Sequence, residues 1–218
     1  DIARYIVKAG KGILAADESN PTCGKRFDSI GVESTEQNRR DYREMLFRSQ
    51  GMRGNIGGVI LFDETIRQEA EDGTSLVKII SDQGALPGIK VDQGLKPIGD
   101  SEESITQGLD GLDARLKEYY SLGAKFTKWR AVIKIGNSMP SDDAIQSNMV
   151  ALADYAKVVQ ENHMVPMVEP EVLMDGTHSI QECFDATSRC LNTLFAALDE
   201  RRVNIKGTIL KPNMVTSG

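Results

Sequence analysis

The chain has 218 residues, 40% of them hydrophobic, with a formal net charge of −6 and an isoelectric point near 5.1. That length supports one large core or two small domains. The acidic balance gives no support for binding nucleic acid or an anionic membrane surface, and no apolar run reaches the length of a membrane span. The three cysteines, Cys23, Cys183 and Cys190, form no CxxC pair. Cys183 and Cys190 lie seven apart on an expected helix, about 10 Å between Cα atoms, which is too far for a disulfide. Reduced thiols are expected. His163 and His178 are the only histidines, and neither stands in HxH or HExxH spacing, so no metal or other cofactor is expected.

In chain order, residues 1–9 read as the end of a helix. Residues 12–17 form a short apolar strand ending in an acid, Asp17. Helices are expected over 25–30 and 35–49; Thr35 caps the second, which turns Tyr42, Met45, Leu46 and Ser49 to one face. Strand 56–62, helix 76–82 and strand 86–92 follow. A long helix is expected over 103–122, with Leu109, Leu112, Leu116 and Tyr120 on its apolar side and the acidic residues 100–103 at its solvated start. Then come strand 126–133, a helix from its cap Ser141 to Asn162, strand 164–171, helix 179–201 and a last strand over 207–215.

Strand and helix thus alternate six times, which argues a parallel α/β fold. No GxGxxG follows the first strand, so the dinucleotide-binding version is disfavoured. The expected fold class is a parallel (β/α)8 TIM barrel with about six βα units present. The domain expectation is one barrel over residues 1–218, cut before its last two strands. The chain has no initiator Met and stops at Thr216-Ser217-Gly218, so loss at both ends is expected, and the fragment is not expected to close a barrel alone.

Charged pairs recur at the C-terminal parts of the apolar strands. Lys90 and Asp92, Lys128 and Arg130, and Glu169 and Glu171 each stand at i, i+2, where side chains share a direction. Asp17 ends the first strand and Lys211 lies within the last. In a barrel these positions converge near the C-terminal mouth, where active sites of this fold lie. Any one pair has a purely structural explanation as an ion pair. Charge at matching places on five of six strands is hard to explain by packing alone.

A buried lysine beside other cations loses preference for its ammonium form and can attack carbonyls to give a Schiff base; alternatively, Lys211 pairs with a buried carboxylate. Glu169 and Glu171, as a like-charge pair, leave one acid able to keep a proton, and Asp17 is a candidate base. Trp129, between Lys128 and Arg130, should face the helix layer. His163 and His178 should have ordinary roles, and Met164, Met167 and Met174 should pack.

The segments 12–19 with Lys25-Arg26, 57–62, 88–92, 107–112, 128–130, 168–171 and 207–215 resemble the motifs of class I fructose-bisphosphate aldolase, in order along the whole chain. The resemblance implies a metal-free lyase that reversibly cleaves fructose 1,6-bisphosphate to dihydroxyacetone phosphate and glyceraldehyde 3-phosphate. It makes Lys211 the Schiff-base lysine, Glu169 the proton shuttle and Asp17 the acceptor of the C4-hydroxyl proton. Lys128 would lie near the imine, with Arg130, Lys90 and Glu171 tuning charge. Ser19, Thr22, Lys25 and Arg26 match a loop near one phosphate. The resemblance also implies a small sugar-phosphate substrate, a homotetramer, and a cytoplasmic or plastid-stromal location.

Residues 20–24 look more like the plastid or algal form of that loop. Gln93 stands where many members have lysine, and Ser217 where many have proline. Another barrel lyase or a transaldolase-like enzyme that also uses a lysine imine, and a catalytically idle aldolase-like scaffold, are the rival readings.

Overall fold

The computed structural model describes residues 2–218; Asp1, part of the helix end expected over 1–9, lies outside them. The chain divides into two compact units. The first contains the residues up to Lys90 together with Lys117–Thr127, and the second Val91–Leu116 with Lys128–Gly218.

The first unit begins with α1 (Ile2–Ile6), β1 (Gly12–Ala16), α2 (Asn20–Asp28) and α3 (Glu36–Phe47). It continues through α4 (Met52–Asn55), β2 (Ile56–Leu61), α5 (Asp63–Ile66), α6 (Leu76–Asp82) and β3 (Leu86–Lys90). β1 pairs with β2, and β2 with β3, both parallel. Val59, Ile60, Leu61 and Ile89 are buried with Leu76 and Ile80 of α6, as expected for strands covered on both faces. The ring of Phe126 fills the space above two strand glycines. A Cβ on Gly88 would stand 2.4 Å from Phe126 Cζ, so this strand position has room for backbone only.

Two expectations fail here for identifiable reasons. α2 starts at Asn20 rather than residue 25, because Pro21 in its first turn suits a helix start. Thr35 caps α3 as expected, accepting from the Asn38 N–H at 3.1 Å. The buried face of α3, however, is Arg39, Arg43 and Phe47, while Met45 is exposed. Two arginines can turn inward because acids meet them. Arg39 forms a two-pronged pair with Glu64, Nε to Oε1 at 2.8 Å and Nη2 to Oε2 at 2.7 Å.

In the second unit β4 (Leu95–Pro97) pairs antiparallel with β5 (Ser104–Thr106). α7 (Leu112–Ser121) and β6 (Phe126–Ile133) run across the division between units. α8 (Asp142–Glu161), β7 (Val165–Val172), α9 (Ile180–Glu200), a 3-10 turn (Ile205–Gly207) and β8 (Ile209–Leu210) complete it. Ser141 caps α8, and Ser179 with Glu182 forms a reciprocal capping box on α9. Trp129 is fully buried against Tyr155, ring centroids 5.3 Å apart, which bears out its packing role.

The helix expected over 103–122 forms only in its second half. Gly108 has φ +129, outside any helix, and residues 104–106 are drawn into the hairpin. The Thr106 N–H donates to Asn148 Oδ1 at 3.4 Å and its hydroxyl to the Arg130 carbonyl at 2.8 Å. Tyr119, not Tyr120, is buried, and Leu109 precedes the helix. The acidic residues 100–103 are therefore not a helix start: Glu103 instead binds the N–H and hydroxyl of Ser141 at 2.8 and 2.7 Å. Met164 and Met167 pack, but Met174 is 60% exposed. All three cysteines are free and buried, and burial pushes the Cys190 thiol up to about 11.

Two stability predictions follow from the first unit. Gly88→Ala should lower unfolding stability by about 1–3 kcal/mol in denaturant titration, because the added methyl meets the Phe126 ring. Glu64→Gln should cost a similar amount at neutral pH, about 1–3 kcal/mol, by leaving the Arg39 charge poorly answered. The sign with pH is fixed. Hydrogen bonds from Arg39 hold the Glu64 carboxyl below its ordinary value. As pH falls the unfolded chain therefore takes up that proton first. The contribution is complete above about pH 5 and is lost as pH falls through the folded-state value, so wild type and Glu64→Gln should converge in acid.

Candidate active site

In the second unit strand geometry sets the charged residues. Lys128 and Arg130 share one face of β6 while Trp129 points the other way, and Glu169 and Glu171 share one face of β7. β8 is only two residues long, in contrast to the strand expected over 207–215. Pro212 has no N–H to continue the ladder, and among the described residues β8 pairs only with β7. Lys211 stands one residue beyond β8. Its N–H donates to the Val168 carbonyl at 3.0 Å, which fixes it beside Glu169. Asn213 fastens the segment beyond the proline, accepting from the Val172 N–H at 3.2 Å and donating to Thr187 Oγ1 at 3.1 Å.

The centre of this arrangement is Glu169, 3% exposed. Lys211 Nζ donates to Glu169 Oε1, and Lys128 Nζ lies 3.2 Å from Oε2. The second contact lacks hydrogen-bond geometry and is a charge–charge contact. Lys128 is 7% exposed, whereas the Lys211 side chain is 42% exposed, so the fully buried amine expected from the sequence is not what forms. Of the two sequence alternatives for Lys211, the one present is the pairing with a buried carboxylate.

The expected like-charge pair is likewise resolved differently. Arg130 Nε donates to Glu171, so each of the two acids has its own cation. The Arg130 N–H also donates to Asp92 Oδ2 at 3.3 Å. An amine hydrogen-bonded to a buried carboxylate has a proton acceptor in place, as nucleophilic attack on a carbonyl requires.

In the first unit Asp17 stands one residue beyond β1 and is 7% exposed. The hydroxyls of Ser19 and Thr22 lie 3.1 Å apart at the start of α2. Lys25 and Arg26 are exposed on that helix, and Arg26 pairs with Glu18. Lys90 is the last residue of β3 and is partly exposed.

The sequence reading missed Glu18, Arg43, Arg39, Glu64 and Asn20. Asn20 Nδ2 donates to Glu64 at 3.3 Å. The signal was available in the i, i+4, i+8 spacing of Arg39, Arg43 and Phe47, which places two arginines beside an aromatic on one helix face. Among the described residues no group of three or more His, Cys, Asp and Glu side chains is placed to hold a metal ion. No described helix is long and apolar enough to cross a membrane.

A family model described as fructose-bisphosphate aldolase class-I matches residues 1–218. A "Probable fructose-bisphosphate aldolase class 1" of Xanthomonas campestris is 53% identical over 100% of this chain and 66% of its own length. "Fructose-bisphosphate aldolase 5, cytosolic" of Arabidopsis thaliana is 52% identical over 99% of this chain and 61% of its own. Among solved structures, a fructose-bisphosphate aldolase from Plasmodium falciparum, in complex with TRAP and a small-molecule inhibitor, superposes with a TM-score of 0.97. It is 49% identical and matches 100% of this chain and 63% of that one. The chain thus spans under two thirds of the length of these relatives, and its fold is the parallel α/β barrel fold of the Plasmodium structure, in part. With the whole sequence matched and about half its residues identical to these relatives, the chain belongs to the class I fructose-bisphosphate aldolase family.

Proposed function

We propose that the protein reversibly cleaves fructose 1,6-bisphosphate to dihydroxyacetone phosphate and glyceraldehyde 3-phosphate through an imine on Lys211. The observation that carries this reading is the hydrogen bond between Lys211 and Glu169, a carboxylate that Lys128 also contacts. Glu169 takes the proton that Lys211 must lose before its amine attacks the C2 carbonyl. The resulting carbinolamine hydroxyl receives a proton from the same acid and leaves as water, giving the iminium.

Cleavage then needs a base for the C4 hydroxyl, and that role falls to Asp17. As its carboxylate accepts the proton, the C3–C4 bond breaks, the aldehyde leaves, and the bonding electrons flow into the iminium as an enamine. Protonation of the enamine and hydrolysis of the imine release dihydroxyacetone phosphate and return Lys211. Lys128 and the Arg130–Glu171 pair set the charge around Glu169. Lys90 is assigned to charge tuning by family resemblance.

Ser19, Thr22, Lys25 and Arg26 are assigned to one substrate phosphate. The hydroxyl pair stands at the N-terminus of α2, where N–H groups and the helix dipole favour an anion. By family resemblance alone residues 1–218 are assigned to one barrel domain and the assembly to a homotetramer, and the names of the cytosolic plant relatives favour a cytosolic location.

Borohydride reduction in the presence of dihydroxyacetone phosphate, followed by peptide mass spectrometry, tests the imine. A substrate-dependent adduct on Lys211, unaffected by a chelator and lost in Lys211→Met, is expected. A folded protein that forms no adduct would contradict the proposal.

A further inference from the structure

The first unit buries a guanidinium that the proposed reaction does not use. Arg43 is 0% exposed on α3. Its Nη2 donates to the Glu18 carbonyl at 2.6 Å and stands 3.5 Å from Glu18 Oε2. Its Nε and Nη1 have no hydrogen-bond partner among the described residues. The other oxygen of the same carboxylate, Oε1, holds Arg26, whose side chain is 58% exposed. One carboxylate therefore carries two guanidiniums of opposite character. Separating Glu18 from Arg43 would strand a charge away from water, whereas Arg26 can leave its contact and be solvated at once.

We infer that Arg43 is a positioning residue: the fixed counterion of Glu18, which leaves Arg26 exchangeable toward a phosphate group of the ligand. The inference rests on the reading of Arg26 as a phosphate-binding residue. When a phosphate arrives at the start of α2, Arg26 turns from Glu18 to the anion. Glu18 keeps Arg43, so its carboxylate does not meet the incoming anion uncompensated. Without Arg43, the counterion left at Glu18 among the described residues would be Arg26 itself. Phosphate would then have to compete for that arginine and approach a bare carboxylate. The same contact holds the residue directly after Asp17, since Arg43 grips the Glu18 backbone as well as its side chain. Asn20 is held from the same helix through Glu64 and Arg39. The segment from Glu18 to Asn20 is thus fastened to the buried face of α3 at both ends.

Inorganic phosphate is the probe, titrated calorimetrically into wild type, Arg26→Ala, Arg43→Met, Glu18→Gln and the double variant Arg43→Met/Glu18→Gln. Wild-type binding should be lost or strongly weakened in Arg26→Ala. It should weaken about tenfold in Arg43→Met and return to within about threefold in the double variant, where no carboxylate competes for Arg26. A purely structural role for Arg43 gives no such recovery of affinity. Should Arg43→Met fail to fold, Arg43→Gln with and without Glu18→Gln gives the same comparison, since glutamine keeps a donor for the Glu18 carbonyl but carries no charge.

Phosphate binding that is indifferent to Arg26, unchanged in the Arg43 variant, or not restored in the double variant would overturn the inference. The imine adduct on Lys211 is read in parallel on wild type. Its absence would sink the aldolase reading while leaving the phosphate measurement to judge Arg43.

Discussion

Everything proposed for the second unit turns on one buried carboxylate. Glu169 is nearly inaccessible, and an ion of that kind is costly to take out of water unless opposite charge and hydrogen bonds meet it. Lys128 meets one oxygen and Lys211 the other. The arrangement is made by backbone, not by side-chain choice alone. β7 presents Glu169, and the Lys211 N–H bonds the Val168 carbonyl, so the two residues are neighbours before their side chains engage. Asn213 then holds the chain past Pro212.

The first unit solves a related problem with arginine. Arg39 and Arg43 lie on the inward face of an amphipathic helix, and Glu64 and Glu18 are the reason they can. The pairs bracket the segment that follows β1, which carries Asp17 and Ser19. Positioning there relies on forks that a lysine could not reproduce, because a guanidinium can hold a carbonyl and a carboxylate together.

Much of this was legible from sequence. Six short apolar strands separated by helices gave the fold class, and the i, i+2 charged pairs on the strands named Lys128, Arg130, Glu169 and Glu171. What was not legible has physical causes. Apolar periodicity put Met45 and Leu46 of α3 inward because it scores arginine as a surface residue, and it has no term for a buried partner elsewhere in the chain. The apolar spacing of Leu109, Leu112 and Leu116 extends a helix back over residues 103–111, but Gly108 and the pairing of Ser104–Thr106 with Leu95–Pro97 exclude it. The last strand was expected to bury Lys211 because a lysine within an apolar run suggests enclosure. Among the described residues Lys211 instead stands one residue beyond the two-residue β8, its side chain partly exposed. The pattern of charged residues singles out Lys211 and Glu169, but it does not show that the two share a hydrogen bond or that the carboxylate is the more buried partner.

The central claim is that Glu169 moves the protons of imine formation. The most direct measurement is the single-turnover rate of imine formation with saturating dihydroxyacetone phosphate, in wild type and Glu169→Gln. Glutamine keeps the shape and a hydrogen-bond acceptor but cannot take the Lys211 proton. The account predicts a rate lower by about a hundredfold or more, with the adduct still on Lys211. A rate equal to wild type would contradict it and leave Glu169 as only the counterion of two lysines.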